Sequence, residues 1–182
     1  SLQLTVFGDL DVSLLNELPP GRQPIVTKIL PELSQADQLY PAMRELLKKK
    51  QQIYWICQLI EDKNQNQATP VKRQAKKLAE LFQNYRVGML HGKMPVDEKD
   101  QIMDDFADGK IDILVSTTVV EVGVNVPNAN MIVIQDSENY GLAQLHQLRG
   151  RVGRGDQPAQ CFLLTTGENR PSKRLREMEK ST

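Results

Sequence analysis

The sequence predicts an α/β fold of three layers, in which a mostly parallel sheet is covered by helices on both faces. Short apolar runs rich in β-branched residues alternate with longer segments whose apolar residues recur at helical spacing. Such alternation is typical of βαβ units, in which consecutive strands lie parallel. The chain has 182 residues, of which 40% are hydrophobic and 25% charged, so it is long enough for one well-buried globular domain.

Proline and glycine mark the predicted helix boundaries. Pro41 limits the first helix to a first turn or a break, Pro95 belongs to the first turn of a later helix, and Gly109 lies past the end of that helix. The run 52–60 is rich in apolar, aromatic and β-branched residues, which is the pattern of a strand buried on both faces. The predicted strands are 24–30, 52–60, 86–91, 111–117, 129–136 and 159–166, and the main predicted helices are 35–49, 70–85, 94–109, 142–154 and 170–182.

Charge and cysteine content restrict the class of protein. Lysine plus arginine and aspartate plus glutamate both number 23, so any site for a polyanion must be local rather than a property of the whole surface. Cys57 and Cys161 lie in apolar runs and are predicted to be buried thiols of a reducing compartment. No apolar run approaches the roughly 20 residues of a membrane span, and no signal peptide is evident, so a cytoplasmic location is expected. Residues 1–24 are predicted to be a linker and 25–182 a single domain, and the two ends suggest a piece of a longer protein.

Three arginines and three glycines are concentrated in residues 144–155 of this charge-balanced chain. On a helix of about 100° per residue, Gln147, Arg151 and Arg154 share one face, opposite the apolar side chains that would pack on the sheet. Arg149 points in a different direction. The spacing therefore predicts that Arg151 and Arg154 act as a pair.

Gly150 and Gly153 lie beside this polar face, although each glycine inside a helix costs about 1 kcal/mol relative to alanine. Guanidinium groups are suited to planar, multidentate recognition of phosphate oxygens, so the pair is a candidate phosphate contact. The alternative, which the spacing leaves open, is a solvated face whose glycines end the helix.

The sequence lacks the usual cradle for a nucleotide triphosphate. A phosphate loop needs G-x-x-x-x-G-K-[ST], whereas Gly92-Lys93 is followed by methionine and Gly109-Lys110 by isoleucine. The acidic run 97–100 occupies the first turn of a helix, where the helix dipole favours negative charge, so it is not predicted to bind metal. Arginines without a cradle suggest a lobe that contributes arginine fingers to a nucleotide held by another domain.

The motifs identify a family that this chain resembles. Residues 144–155 resemble motif VI of superfamily-two helicases, and 115–127 resemble motif V. The strand and loop 86–94 and the run 52–60, at the position of motif IV, are similar to the same lobe. Residues 8–22 resemble the segment that joins the two motor lobes of RecG-type DNA helicases. The resemblance implies that this is the second RecA-like lobe, the helicase C-terminal domain.

The resemblance implies nucleotide contacts for five residues. Arg151 and Arg154 correspond to the motif VI arginines that reach the nucleotide phosphates, and Gln147 lines the same cleft. Gly123 and Asn125 correspond to the motif V turn, which commonly carries an acidic side chain that touches ribose or motif VI. The amide of Asn125 can hydrogen-bond a hydroxyl but cannot pair ionically with an arginine.

Nucleic-acid contacts are implied for three further residues. Thr117 corresponds to a motif V position that often contacts a nucleic-acid phosphate. His91 and Gly92 correspond to a loop above the DNA track, although a hydrogen-bonded structural histidine is the alternative for His91.

The resemblance also implies an activity for the complete protein. RecG-type enzymes hydrolyse ATP to move along duplex DNA and remodel stalled forks and Holliday junctions in recombination and repair. ATP and Mg²⁺ are held mainly by the first motor lobe, and an N-terminal wedge domain recognises the branch, so this chain alone is expected to be inactive. Three alternatives remain: the equivalent lobe of a transcription-repair coupling translocase, a non-enzymatic nucleic-acid-binding module, and a structural α/β domain whose arginines form internal salt bridges.

Overall fold

The computed structural model describes five stretches of the chain. The linker predicted over residues 1–24 lies outside them, apart from Pro24, and so do Gly123 and Asn125 of the predicted motif V turn. The described residues are 24–31, 35–58, 68–117, 126–166 and 173–181.

The described strands form one six-stranded sheet in which every neighbouring pair is parallel. This confirms the predicted α/β class. The order across the sheet is β1-β6-β5-β2-β4-β3, so the second strand is central and all six of its residues are buried. The strands are β1 (Ile25–Pro31), β2 (Gln52–Cys57), β3 (Val87–Leu90), β4 (Ile113–Thr117), β5 (Ala129–Ile134) and β6 (Ala159–Thr165).

Helices cover both faces of the sheet, as the three-layer prediction requires. Alternate residues of β2 point to opposite faces. Ile53 and Trp55 pack with the first two helices, whereas Tyr54 and Ile56 pack with the other three. The helices are α1 (Tyr40–Lys48, entered through a π-helical turn at Gln35–Leu39), α2 (Ala68–Leu81), α3 (Val96–Ala107), α4 (Leu142–Arg149) and α5 (Lys173–Lys180).

Most of the predicted boundary residues occupy the predicted places. Pro41 lies in the first turn of α1, and Pro95 immediately precedes α3. Gly109 follows the end of α3 with φ +80°, a left-handed conformation that glycine adopts at little cost. Cys57 and Cys161 are buried free thiols, and burial raises the pKa of each to about 12.

The predicted helix over 142–154 is wrong in its length. The helix ends at Arg149, Gly150 caps it, and Gly153 has φ +75°. Helical periodicity therefore does not govern Arg154. The glycines end the helix because a left-handed residue and a close approach to Ile25 and Ala159 are required there, which a side chain at Gly153 would hinder.

No helix in the described part of the chain has the length and apolar character needed to cross a bilayer.

Candidate nucleotide and nucleic-acid site

Helix α4 is anchored at its start by a local hydrogen bond and along its length by apolar packing. The backbone N–H of Gly141 donates to Oε1 of Gln144 over 3.1 Å, which satisfies a group at the start of the helix. Leu145 is fully buried against the sheet, and Leu148 packs beside it. After the helix the chain turns back, with the N–H of Arg151 donating to the carbonyl of Leu148 over 3.0 Å. These contacts set the position of the turn that follows.

The segment after α4 lies against the stretch that leads into β5. A Cβ atom added at Gly155 would lie 2.5 Å from the carbonyl oxygen of Pro127, so only glycine permits this approach. Val152 is fully buried, as helical spacing predicted, and Val126 is also in the core. The predicted motif VI segment is therefore in direct contact with the last residues of the predicted motif V segment.

Arg151 and Arg154 lie close to the same phenol. Arg151 is half-buried, whereas Arg154 is exposed and its Nε donates to the carbonyl oxygen of Gly150 over 2.9 Å. Burial raises the pKa of Tyr54, while the positive charges of Arg151 and Arg154 act in the opposite direction. Both guanidinium groups therefore act on Tyr54 although the helix ends before them. Within the described residues Arg154 has no carboxylate partner, and Gln147 is exposed one turn before Arg151.

A small cleft lies between α3, the end of α4 and the sheet. Arg151 lines this cleft together with Thr117, so a residue predicted to contact nucleotide and one predicted to contact DNA share its walls. The hydroxyls of Ser116 and Thr117 are buried and have no hydrogen-bond partner among the described residues, and a buried polar group without a partner is unusual. The full lining is Tyr54, Ile56, Met103, Ser116, Thr117, Leu148 and Arg151.

Tyr54 and Ser116 were missed by the sequence reasoning. Tyr54 lies in a predominantly apolar run, and no sequence motif marked its hydroxyl as part of a site. The sequence carried one weak signal for the position of Tyr54. Tyr54 and Ile56 are two residues apart in a strand, so their side chains lie on the same face of the sheet.

Thr117 and His91 end neighbouring strands at the carboxyl edge of the sheet. Thr117 is the last residue of β4, and His91 with Gly92 follows β3 directly. His91 is only 8% exposed, and its Nδ1 atom has no hydrogen-bond partner among the described residues.

Positive charge surrounds His91. Burial lowers the pKa of His91, and Lys72, Lys93 and Lys99 lower it further, whereas Glu98 opposes them. These lysines come from α2, the loop after β3 and α3, and both helices pack against β3. Three lysines from separate elements and one opposing carboxylate thus act on His91.

Arg149 points away from the pair, as predicted. Its side chain is buried against β1 and α5 rather than toward the cleft. No group of three or more metal-ligating side chains is present in the described part of the chain.

Comparison with known proteins identifies the family. The family model described as helicase conserved C-terminal domain matches residues 38–156. The ATP-dependent DNA helicase RecG of Aquifex aeolicus is 45% identical over 187 residues, covering 100% of this chain and 23% of that protein. A structure of RecG bound to a three-way DNA junction matches with a TM-score of 0.70 and 39% identity over 89% of this chain and 20% of that chain.

A more distant structure shows the fold alone. Domain 2 of the DEAD-box helicase Mss116p, bound to an RNA duplex, matches with a TM-score of 0.59 at 14% identity, over 85% of this chain and 67% of that chain. The chain spans about a quarter of the length of the RecG proteins of Aquifex aeolicus and Streptococcus pneumoniae. The chain belongs to the helicase conserved C-terminal domain family, and the resemblance to RecG-type helicases that its motifs predicted is confirmed over its whole length.

Proposed function

We propose that this chain is the second motor lobe of an ATP-dependent DNA helicase that remodels branched DNA such as stalled forks and Holliday junctions. The observation that carries the proposal is Arg151 in the wall of the cleft, with Arg154 exposed three residues later and without a carboxylate partner among the described residues. A guanidinium left open in this way is available to phosphate oxygens. The chain has no phosphate loop of its own, so the nucleotide is held by the first motor lobe.

The two arginines would act on the charge that develops during phosphoryl transfer. ATP with Mg²⁺, bound mainly by the first lobe, supplies the phosphoryl group. Arg151 is steadied by the walls of the cleft, and the carbonyl of Gly150 orients the guanidinium of Arg154. Because both groups are held before the reaction, they stabilise negative charge without having to reorganise. Gln147 lies on the same side, and Gly123 and Asn125 are assigned to the nucleotide by resemblance alone.

The carboxyl edge of the sheet is the proposed DNA contact. Thr117 and His91 lie at this edge with Gly92, and each presents a buried polar atom that lacks a partner. The lysines that act on His91 are the groups that would contact a phosphate backbone. Since the RecG relative was solved on a three-way DNA junction, branched duplex DNA is the proposed substrate, recognised with the first lobe and an N-terminal wedge domain.

The test is the DNA-stimulated ATPase activity of a full-length RecG in which this chain forms the second motor lobe. Arg151→Ala and Arg154→Ala should each lower kcat on the order of 10³-fold, the usual worth of an arginine finger. Affinity for branched DNA should change little, because neither arginine is assigned to DNA. The matched control is Arg176→Ala, which removes an exposed arginine from α5.

Two outcomes would contradict the proposal. One is ATPase activity that survives both arginine substitutions. The other is an isolated chain that hydrolyses ATP at a rate near that of the intact helicase. If the isolated chain instead bound DNA tightly with a steep salt dependence, a binding module would be the better description.

A further inference from the structure

Arg149 is a buried guanidinium whose two terminal nitrogens lie within hydrogen-bond distance of five acceptors, all on uncharged groups. The side chain is 7% exposed, and no carboxylate among the described residues lies within ion-pair distance of it. Its Nη1 lies 3.2 Å from Oγ1 of Thr27, 3.2 Å from the carbonyl oxygens of Met178 and Ser181, and 2.7 Å from Oγ of Ser181, so these four acceptors share its two N–H donors. Its Nη2 donates to Nδ1 of neutral His146 over 3.1 Å.

A buried charge is retained only where hydrogen bonds replace its hydration. Burial lowers the pKa of Arg149, because removing the guanidinium from water disfavours its charged form. The carbonyls of Met178 and Ser181 lie at the carboxyl end of α5, where the helix dipole favours a cation. Arginine is suited to this place because its planar fork offers five donors in fixed directions, whereas lysine offers a single point charge.

Helix α5 depends on such contacts because it is short. It has eight residues, fewer than an isolated helix needs in water, and only Leu175 and Met178 are in the core. Other polar contacts of α5 include the carboxylate of Glu179, which accepts the N–H of Ile29 over 2.9 Å, and Arg174, which donates to the carbonyl of Glu138. The bonds from Arg149 join these contacts in docking α5.

The same residue closes the turn that carries the arginine pair. The carbonyl of Arg149 accepts the N–H of Val152 over 3.3 Å, and the adjacent Gly150 accepts the bond from Arg154. The side chain of Arg149 thus binds α5 and β1 while its backbone holds the turn of Arg151. Arg149 is therefore one residue through which a change in the docking of α5 reaches this turn.

We propose that Arg149 is a positioning residue that couples the docking of α5 to the placement of Arg151 and Arg154. It does not touch the nucleotide. When α5 is docked, the guanidinium of Arg149 fixes the end of α4 against β1, and the turn presents both arginines together. This inference rests on the proposed function, because it assigns a role relative to those two arginines.

The experiment is a double-mutant cycle in the full-length RecG that contains this chain. Arg149→Met should lower kcat of the DNA-stimulated ATPase by about ten- to a hundredfold, the cost of misplacing a group by about 1 Å, with KM for ATP and branched-DNA affinity within about twofold. In the background of Arg151→Ala with Arg154→Ala, the same substitution should have no further effect. A merely structural role would lower the activity further in both backgrounds. Arg176→Met, an exposed arginine of the same helix, is the matched control.

Milder variants keep the inference testable if Arg149→Met does not fold. Ser181→Ala removes the 2.7 Å bond and leaves the other partners in place, and it should lower kcat a few-fold and speed amide hydrogen exchange in α5. Arg149→Lys keeps the charge but should not restore kcat, because an ammonium cannot reach all of the acceptors.

The outcomes separate this inference from the proposed function. If Arg151→Ala and Arg154→Ala leave the ATPase intact, the proposed function fails. If those two lower kcat but Arg149→Met and Ser181→Ala do not, or if the effects simply multiply, only the positioning role of Arg149 is overturned.

Discussion

Replacing Lys72, Lys93 and Lys99 together by glutamine is expected to weaken DNA binding in a way that salt reveals. The three lysines come from separate elements and act on the same side chain, His91, so they share one surface. Lys72 and Lys93 are exposed and Lys99 is half-buried, which leaves their ammonium groups able to approach a phosphate backbone. Glutamine keeps a polar side chain and removes the charge, so the substitution tests charge alone.

The magnitude follows from the number of phosphates neutralised. Each contact to duplex DNA contributes about −0.9 to the slope of log affinity against log salt concentration. Three lost contacts should therefore reduce the steepness of that slope by about 2.7, and by about 1.8 if the half-buried Lys99 makes none. The measurement is a titration of labelled branched duplex DNA at several salt concentrations, with the full-length RecG that carries this lobe.

The control removes the same charge elsewhere. Lys48, Lys49 and Lys50 are exposed residues at the end of α1, before β2 begins, and hence at the amino edge of the parallel sheet rather than the carboxyl edge. Their triple glutamine variant should leave the slope nearly unchanged. Equal slopes for the two variants would refute the assignment of the carboxyl edge to DNA, because the effect would then reflect net charge only.

Two further predictions concern stability. Gly155→Ala should reduce the free energy of unfolding by about 1–3 kcal/mol, because its Cβ would meet the carbonyl oxygen of Pro127 at 2.5 Å. Gly141→Ala should be nearly neutral in the same thermal melts, because the atom nearest to its Cβ is 3.8 Å away. The pKa of His91 and of His146 is lower in the folded chain than the ordinary value of 6.5. Below about pH 6.5 the unfolded chain therefore binds more protons than the folded chain does. Stability should therefore fall as pH drops below about 6.5, and His91→Gln with His146→Gln should flatten this loss in denaturant titrations; an unchanged pH profile would contradict it.

The cleft offers a physical route between the two proposed contacts. Arg151 and Thr117 line it together, so the side chain assigned to the nucleotide and the side chain assigned to DNA are separated by one small space. Coupling between two sites requires a contiguous element that both of them bias. The unpartnered hydroxyls of Ser116 and Thr117 are the groups whose hydrogen bonds could change with either ligand.

Local pattern was sufficient for most of the fold. The apolar run of β2 predicted a strand buried on both faces, and all of its residues are buried. Pro95 and Gly109 predicted the two ends of α3, because proline and glycine act on the backbone of their own residue. The exception is the end of α4. Helical periodicity extended it through Arg154, whereas packing of Gly153 on β1 and β6 and of Gly155 on Pro127 ends it at Arg149.

The sequence by itself determined the alternation of strands and helices, the arginine pair and the motifs that place the chain in its family. Only the tertiary structure decided which side chains meet: Tyr54 beside Arg151, Lys72 and Lys99 near His91, and the fit of Arg149 into the end of α5. The physical reason is that these neighbours depend on strand order. Since β2 lies between β5 and β4 while β3 is at the edge, contacts are set by non-local pairing, which no local pattern of residues encodes.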